Sequence, residues 1–326
     1  MWSSTQRQNY LAVSQHRYNL CPVGVCGDRG ILCVSWIAGD CVRHFEKNPF
    51  IVAASGRRKI EMSVIMNISA YDLHTRIRSP IIFSLMQVKK GEKVLDVGSG
   101  SGYLAEKIGE GNEFTCCLDI SLENLCTVKE RKREKLLLIN SAAEKLPLRR
   151  ESFDKVLCTE VLEHIKVDRE ALREIARILK PGGVLVITVP CREFRFPSLI
   201  ELLRVKTVHE YEGPEKHYRK GYTVAELSQL VGETGMVVCD YVYFSHFFSK
   251  LILDIISITH LVVRRMMMGQ KAWTWADIQC LNSKGSFVIY KLLFPLFLLF
   301  CKLDTPLLRS PRTRGSGIAI ASRKRS

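Results

Sequence analysis

From Met66 onward the apolar positions alternate between two periods. Short continuous apolar runs bounded by Gly, Pro or Asp read as buried strands, and stretches with apolar residues three and four apart read as amphipathic helices. Ser79-Pro80 offers an N-cap with proline at the first helical position, which predicts a helix over Ile81–Val88. Strands are expected at Lys93–Val97, Glu113–Leu118, Leu136–Ile139, Lys155–Cys158, Val184–Val189 and Met236–Phe244, with Ser316–Ala321 as a seventh. Helices are expected at Gly102–Gly109, Ser121–Glu134, Asp168–Leu179 and from Thr223 to Gly235, where Thr223 and Glu226 have capping-box spacing. Lys180-Pro181-Gly182-Gly183 reads as a turn.

Strands alternating with helices imply an α/β fold with a doubly wound, mostly parallel seven-stranded sheet. The expected division is a core over 62–245, an insertion over 246–314 between the last two strands, and a last strand with a basic tail over 315–326. Residues 1–61 hold no sustained period, only the isolated apolar run Ile31–Ala38. They are expected to be a poorly patterned extension, disordered or outside the native domain.

Composition changes the picture in one place. A hydrophobic fraction of 47% and a charged fraction of 25% are ordinary for a globular chain. The net charge of +15, however, is unevenly spread. Residues 66–245 carry 27 Lys and Arg against 26 Asp and Glu, whereas residues 246–326 carry 13 against 3. The twelve cysteines lack paired metal-site spacing, and Met1–Leu20 has no apolar signal core. A reducing, cytoplasmic setting with free thiols follows as the expectation. No segment reaches the ~20 apolar residues that span a bilayer.

The strongest chemical signal is the run from Lys93 to Gly102, KVLDVGSGSG, in which a buried strand enters a turn holding Gly98, Gly100 and Gly102. A P-loop would need Gly-Lys-Ser/Thr at its end, and a dinucleotide fingerprint would need glycine farther on. Asp96 would repel a pyrophosphate but suits a ligand bearing an ammonium group. Asp119, twenty-three residues later, stands where an acid holds ribose hydroxyls in open α/β sheets. The plainer alternative is an ordinary strand–helix connection.

With Ala143-Glu144-Lys145-Leu146-Pro147-Leu148, Ser152-Phe153-Asp154, Glu160-Val161-Leu162-Glu163-His164-Ile165 and Leu179-Lys180-Pro181-Gly182-Gly183, the stretch Val94–Pro190 resembles the class I S-adenosylmethionine (SAM)-dependent methyltransferases. It is similar in particular to the type 11 group, which includes the ubiquinone and menaquinone biosynthesis methyltransferases. The resemblance implies SAM as cofactor. Asp96, Gly98, Ser99, Gly100 and Gly102 would line its methionine end, Asp119 and Ile120 its ribose side, Ala142 and Ala143 its adenine, and Thr159 the floor beside the sulfonium. The family usually has an acid where this chain has Ala142, which removes one adenine hydrogen bond; the backbone contact at Ala143 does not depend on the side chain.

Glu160, Glu163 and His164, at i, i+3 and i+4, are expected on one helix face. His164 is the candidate general base, with Glu163 beside it, because an imidazole near neutrality suits removal of a hydroxyl proton. The same groups with His217 form a less favoured metal set, a spacing that resembles some metal-dependent O-methyltransferases. The plainer reading is that Glu160 caps and His164 packs.

The insertion joins charge to apolar bulk. Phe287–Cys301 is apolar except for Lys291 and Pro295, and Trp273 and Trp275 are candidate interfacial anchors. It is expected to overhang the acceptor site and to lie on an anionic membrane surface, with Phe294, Leu296 and Phe297 among its contacts; the alternative is an ordinary lid. The favoured acceptor is therefore a small, apolar, lipid or quinone-like molecule, with the protein peripheral at the inner face of a membrane. An RNA methyltransferase and a non-catalytic SAM-fold binding protein are the competing classes, and a nucleic-acid partner is not favoured because the basic region is rich in Leu and Phe.

Overall fold

The computed structural model describes residues 24–26, 31–33, 72–112, 114–130, 136–194, 199, 217–268, 286–308 and 313–325. Its strands are β1 (Gly24–Cys26), β2 (Ile31–Cys33), β3 (Val94–Val97), β4 (Thr115–Asp119), β5 (Leu136–Asn140), β6 (Phe153–Thr159), β7 (Leu179–Pro190), β8 (Met236–Phe244) and β9 (Gly317–Lys324). They form one mixed sheet in the order β1-β2-β5-β4-β3-β6-β7-β9-β8. From β2 to β7 all neighbours are parallel, and β9 runs antiparallel between β7 and β8. The seven strands β3 to β9 are the expected ones. β1 and β2 come from the unpatterned N-terminal stretch, and β2 adds to the β5 edge with Leu32 opposite Ile139 and Cys33 opposite Asn140. Strands of three residues are too short to display a period.

The helices are α1 (Leu73–Met86), α2 (Tyr103–Gly109), α3 (Leu122–Glu130), α4 (Asp168–Ile178), α5 (Val224–Gly232), α6 (Phe247–Met268) and α7 (Ser286–Leu308). Successive strand residues point to opposite faces. Leu95, Val156 and Ile187 therefore meet Leu172 and Ile175 of α4 and Leu227 of α5. Val94, Leu157 and Val186 meet Ile82 and Met86 of α1 and Leu104 of α2. α3 packs Leu125 and Val128 onto Cys117 and Leu138. The capping box is present: Glu226 N donates to Thr223 Oγ1 at 3.1 Å, and Thr223 N to Glu226 Oε2 at 3.0 Å.

Two local expectations are corrected. α1 begins at Leu73, not after Ser79, because Asp72 accepts hydrogen bonds from the His74 and Thr75 amides and so caps the helix earlier. Pro80 then lies inside the helix. The buried stripe of α1 includes Thr75 and Ser79, so its period is masked in the sequence. β7 begins at Leu179, because Leu179 pairs with Phe153 and Val184 with Lys155; residues 180–183 bulge out of the ladder rather than ending it.

The insertion contains a helical hairpin. The Asp304 carboxylate, near the end of α7, accepts from the amides of Phe248 and Ser249 at the start of α6, so the two helices run antiparallel. Phe294 and Cys301 of α7 pack with Ile252 and Ile256 of α6 onto Leu73 and Ile77 of α1. β8 points the same way as β3, so the hairpin leaves from the carboxyl end of the sheet, as expected. Among the described residues no helix is long and apolar enough to cross a membrane.

Candidate cofactor and active site

The expected site residues gather at the carboxyl ends of four neighbouring strands. Asp96 lies in β3 and is followed by the glycine turn; Asp119 ends β4; Ala142 and Ala143 follow β5; Thr159 ends β6. The amides of Gly98 and Ser99 both donate to Leu118 O, at 2.7 and 3.0 Å, which bends the chain at the end of β3. Gly100 N donates to Asp119 Oδ2 at 2.7 Å, while Asp119 Oδ1 accepts from Ser121 N at 2.8 Å and from Asn124 Nδ2 at 3.4 Å. Asp119 thus anchors the turn itself. A carboxylate has about four lone-pair sites, so one remains for a further donor.

The three glycines serve different ends. A Cβ on Gly98 would lie 2.2 Å from Val161 Cγ2, and one on Gly102 would lie 2.6 Å from Val128 Cγ2. These two make room for the protein's own valines. A Cβ on Gly100 would meet nothing within 4 Å, so only there does the turn face open space. Ile120, 76% exposed, borders the same strand end. On the other side, Arg177 donates to the carbonyls of Leu146 and Leu148, and Glu174 accepts from Leu146 N, which fixes the segment after Ala143 to α4.

Asp96 is buried, and its Oδ1 has no hydrogen-bond partner among the described residues; the same is true of Ser99 Oγ. Burial first, and Asp119 second, push the Asp96 carboxyl up to about 7, against the pull of Arg78. An unpartnered buried carboxylate is unfavourable, so the site is built for a donor, best a cationic one.

Arg78 was not visible from the sequence, because α1 was placed too late in the chain. Its Nη1 lies 3.0 Å from His74 Nδ1 and 3.7 Å from Glu160 Oε1, and its buried Nε has no partner among the described residues. Desolvation, then Arg78, lower the His74 pKa, so a neutral His74 ring accepts from the guanidinium. The readable signal is His74 and Arg78 at i and i+4, which puts both on one face of the helix.

The expected helix face of Glu160, Glu163 and His164 does not form. Glu160 N donates to Thr188 O at 2.9 Å, carrying the β6–β7 ladder one residue further, and Glu160 then turns with φ +52. Only a single 3₁₀ turn, Leu162–His164, follows. Glu160 accordingly accepts from Thr188 Oγ1 at 2.9 Å, facing Arg78. Glu163, His164 and His217 do come together: their ligand atoms lie within 4.8 Å of one another, and the two imidazole rings meet edge to face at 4.4 Å. Glu163 is buried with Oε2 unpartnered among the described residues, and burial, then Glu160, raise its pKa well above its ordinary value. Residues 217–222 are tied down by Tyr218 N donating to Glu163 O at 2.8 Å and by the Tyr222 hydroxyl donating to Asp168 at 2.9 Å.

Comparison with known proteins agrees with this geometry. The family described as "Methyltransferase domain" matches residues 95–187, and "Protein-L-isoaspartate(D-aspartate) O-methyltransferase (PCMT)" matches residues 42–138. The chain is 31% identical to the ubiquinone biosynthesis O-methyltransferase of Haemophilus ducreyi, over 41% of this chain and 65% of that protein. It is 35% identical to the demethylmenaquinone methyltransferase of Paenarthrobacter aurescens, over 38% of this chain and 47% of that protein. The chain thus spans about half to two thirds of the length of these relatives. Among solved structures it is similar to phosphoethanolamine N-methyltransferase 2 of Haemonchus contortus in complex with SAM, at a TM-score of 0.47 and 19% identity, covering 76% of this chain and 52% of that one. Residues 95–187 thus form a methyltransferase domain similar to those of the class I SAM-dependent enzymes.

Proposed function

We propose that this domain binds SAM at the ends of β3 and β4 and methylates a small apolar acceptor admitted beneath the α6–α7 hairpin. The carrying observation is Asp96: a buried carboxylate with one unpartnered oxygen, beside a turn that opens only at Gly100. A methionine ammonium group supplies the missing donor. Gly98, Ser99, Gly100 and Gly102 then flank the methionine end, and Arg78 Nε is placed for its carboxylate. The spare lone pair of Asp119 suits a ribose hydroxyl beside Ile120, Ala142 borders the adenine, Ala143 offers its amide, and Thr159 closes the floor.

When bound, the cofactor supplies an electrophilic methyl group on a sulfonium. The chain orients the acceptor and excludes water, which accounts for much of such a reaction. His164, with His217 against it, receives the proton that a hydroxyl acceptor releases. Glu163, its carboxyl pushed up by burial and by Glu160, lies beside these rings. A second reading has its own support, since the closeness of Glu163, His164 and His217 also suits a divalent cation. Loss of activity on chelation, restored by magnesium, would select it.

The acceptor class draws on the apolar hairpin and on relatives named for ubiquinone and menaquinone biosynthesis. A lipid- or quinone-like acceptor, a protein peripheral to a membrane and a reducing compartment are parts of this reading; Cys116, Cys117, Cys126, Cys158, Cys191, Cys239 and Cys301 are free thiols. The test is titration calorimetry with SAM, followed by methyl-labelled SAM offered to lipid extracts and to RNA. Asp119→Ala and Gly100→Val should each weaken SAM binding, Asp119→Ala by about 1.5–3 kcal/mol for a charge-assisted hydrogen bond. Unchanged affinity in both refutes the cofactor site. Label in RNA and not in lipid refutes the acceptor class.

A further inference from the structure

We propose that α7 docks the protein on an anionic lipid bilayer, lying in the membrane plane with the far end of the hairpin among the headgroups. Leu292, Leu296, Leu299 and Leu303 recur at intervals of four, three and four, so they share one helix face, and all are exposed, Leu292 by 75%. Leu293 and Phe300 widen this stripe and are exposed too. The stripe does not hold the hairpin together: that is done by Phe294 and Cys301, buried against α1 and α6. Phe294, a bilayer contact by sequence, is therefore a core residue, and Phe297 packs beside it. From Leu292 to Leu303 the stripe runs about 16 Å along the helix, too short for crossing the ~30 Å of hydrocarbon but enough for lying in the interface.

The occupant is indicated by charge. Asp304 joins the end of α7 to the start of α6, so the end of α6 and the start of α7 lie together at the opposite tip. Arg264 and Arg265 fall near that end of α6 and Lys291 near that start of α7, and residues 257–268 and 286–291 contain no acid. Trp273 and Trp275, the expected interfacial anchors, lie outside the described residues. An apolar stripe ending in a basic tip matches anionic headgroups over a hydrocarbon surface. A second copy of this chain would bring the same positive tip to the contact, and is disfavoured by it. The hairpin leaves from the sheet end that holds Asp96 and His164, so docking would bring that end to the bilayer; its value to catalysis rests on the function proposed above, whereas docking is measured without turnover.

The test is flotation of the full chain with vesicles of phosphatidylcholine alone or mixed with phosphatidylglycerol, at low and high salt. The protein should float with the mixed vesicles, and less so at high salt. The variant Leu296→Ser/Leu299→Ser/Leu303→Ser should lower the vesicle partition coefficient at least about tenfold, since it replaces three of the six exposed apolar side chains of the stripe, while SAM affinity stays the same. Should that variant fold poorly, Arg265→Gln/Lys291→Gln should weaken binding to the mixed vesicles and flatten its salt dependence. Asp119→Ala should float like the parent, so failure of the cofactor reading leaves this result intact. Protein that stays in solution with the mixed vesicles overturns the proposal. So does a serine variant that floats like the parent, or a parent whose self-association in light scattering the serine variant abolishes.

Discussion

Asp96→Asn separates the cost of the empty cofactor site from its use. In the free protein the Asp96 carboxyl is pushed from its ordinary 3.8 to about 7, first by burial and then by Asp119. Between those values the folded chain holds a proton that the unfolded chain has lost. Stability should therefore fall as pH rises from about 4 to about 7 and change no further from this group above that. A shift of about three units at about 1.4 kcal/mol each sets the cost near 4 kcal/mol once Asp96 is ionised. Asparagine has no charge to bury. At about pH 8 the cofactor-free Asp96→Asn protein should be more stable than the parent by up to about 4 kcal/mol, and near pH 4 the two should converge. Asp119 and Glu163 are also raised, so the parent-minus-variant difference, not the parent curve alone, isolates Asp96. Urea unfolding across this pH range measures it. SAM binding should show the reverse preference. It should weaken the parent's dependence on pH, release a proton below pH ~7, and drop about tenfold to a hundredfold in the variant through loss of a charge-assisted pair. Calorimetry in two buffers of different ionisation enthalpy detects the proton. A cofactor-free variant less stable than the parent at high pH, or a pH-independent difference between them, would refute the reasoning.

Two further outcomes follow from packing. Alanine at Gly102 meets Val128, whereas alanine at Gly100 meets open space, so thermal unfolding should show Gly102→Ala as the more damaging; Gly100→Ala should cost about 1–2 kcal/mol for its positive φ alone. Val128→Ala should recover part of the Gly102→Ala loss and none of the Gly100→Ala loss. A chain beginning at Met66 should still unfold cooperatively and bind SAM, because β2 is registered to β5 at only two residue pairs. Failure of that chain to fold would make residues 1–61 integral to the domain.

Repeated local patterns carried most of the fold. Buried strand runs between Gly and Pro, the Thr223–Glu226 box and the α4 stripe are each legible within a dozen residues, and together they yield the seven strands β3 to β9, though not their order in the sheet. The glycine turn and its two acids were legible for the same reason, since strand ends in a parallel sheet bring Asp96 and Asp119 to one edge whatever the rest of the chain does. The sequence could not show where a helix begins when its buried face is partly polar, as in α1, and so it hid Arg78. Nor could it show that Glu160 would leave the helix period, because that follows from one ladder bond to Thr188, twenty-eight residues away. The approach of His217 to Glu163 and the division of α7 into a packed face and an exposed one are likewise contacts between distant segments. Periodicity is a property of neighbours along the chain; which face is buried, and which charge meets which, is decided only when remote elements pack.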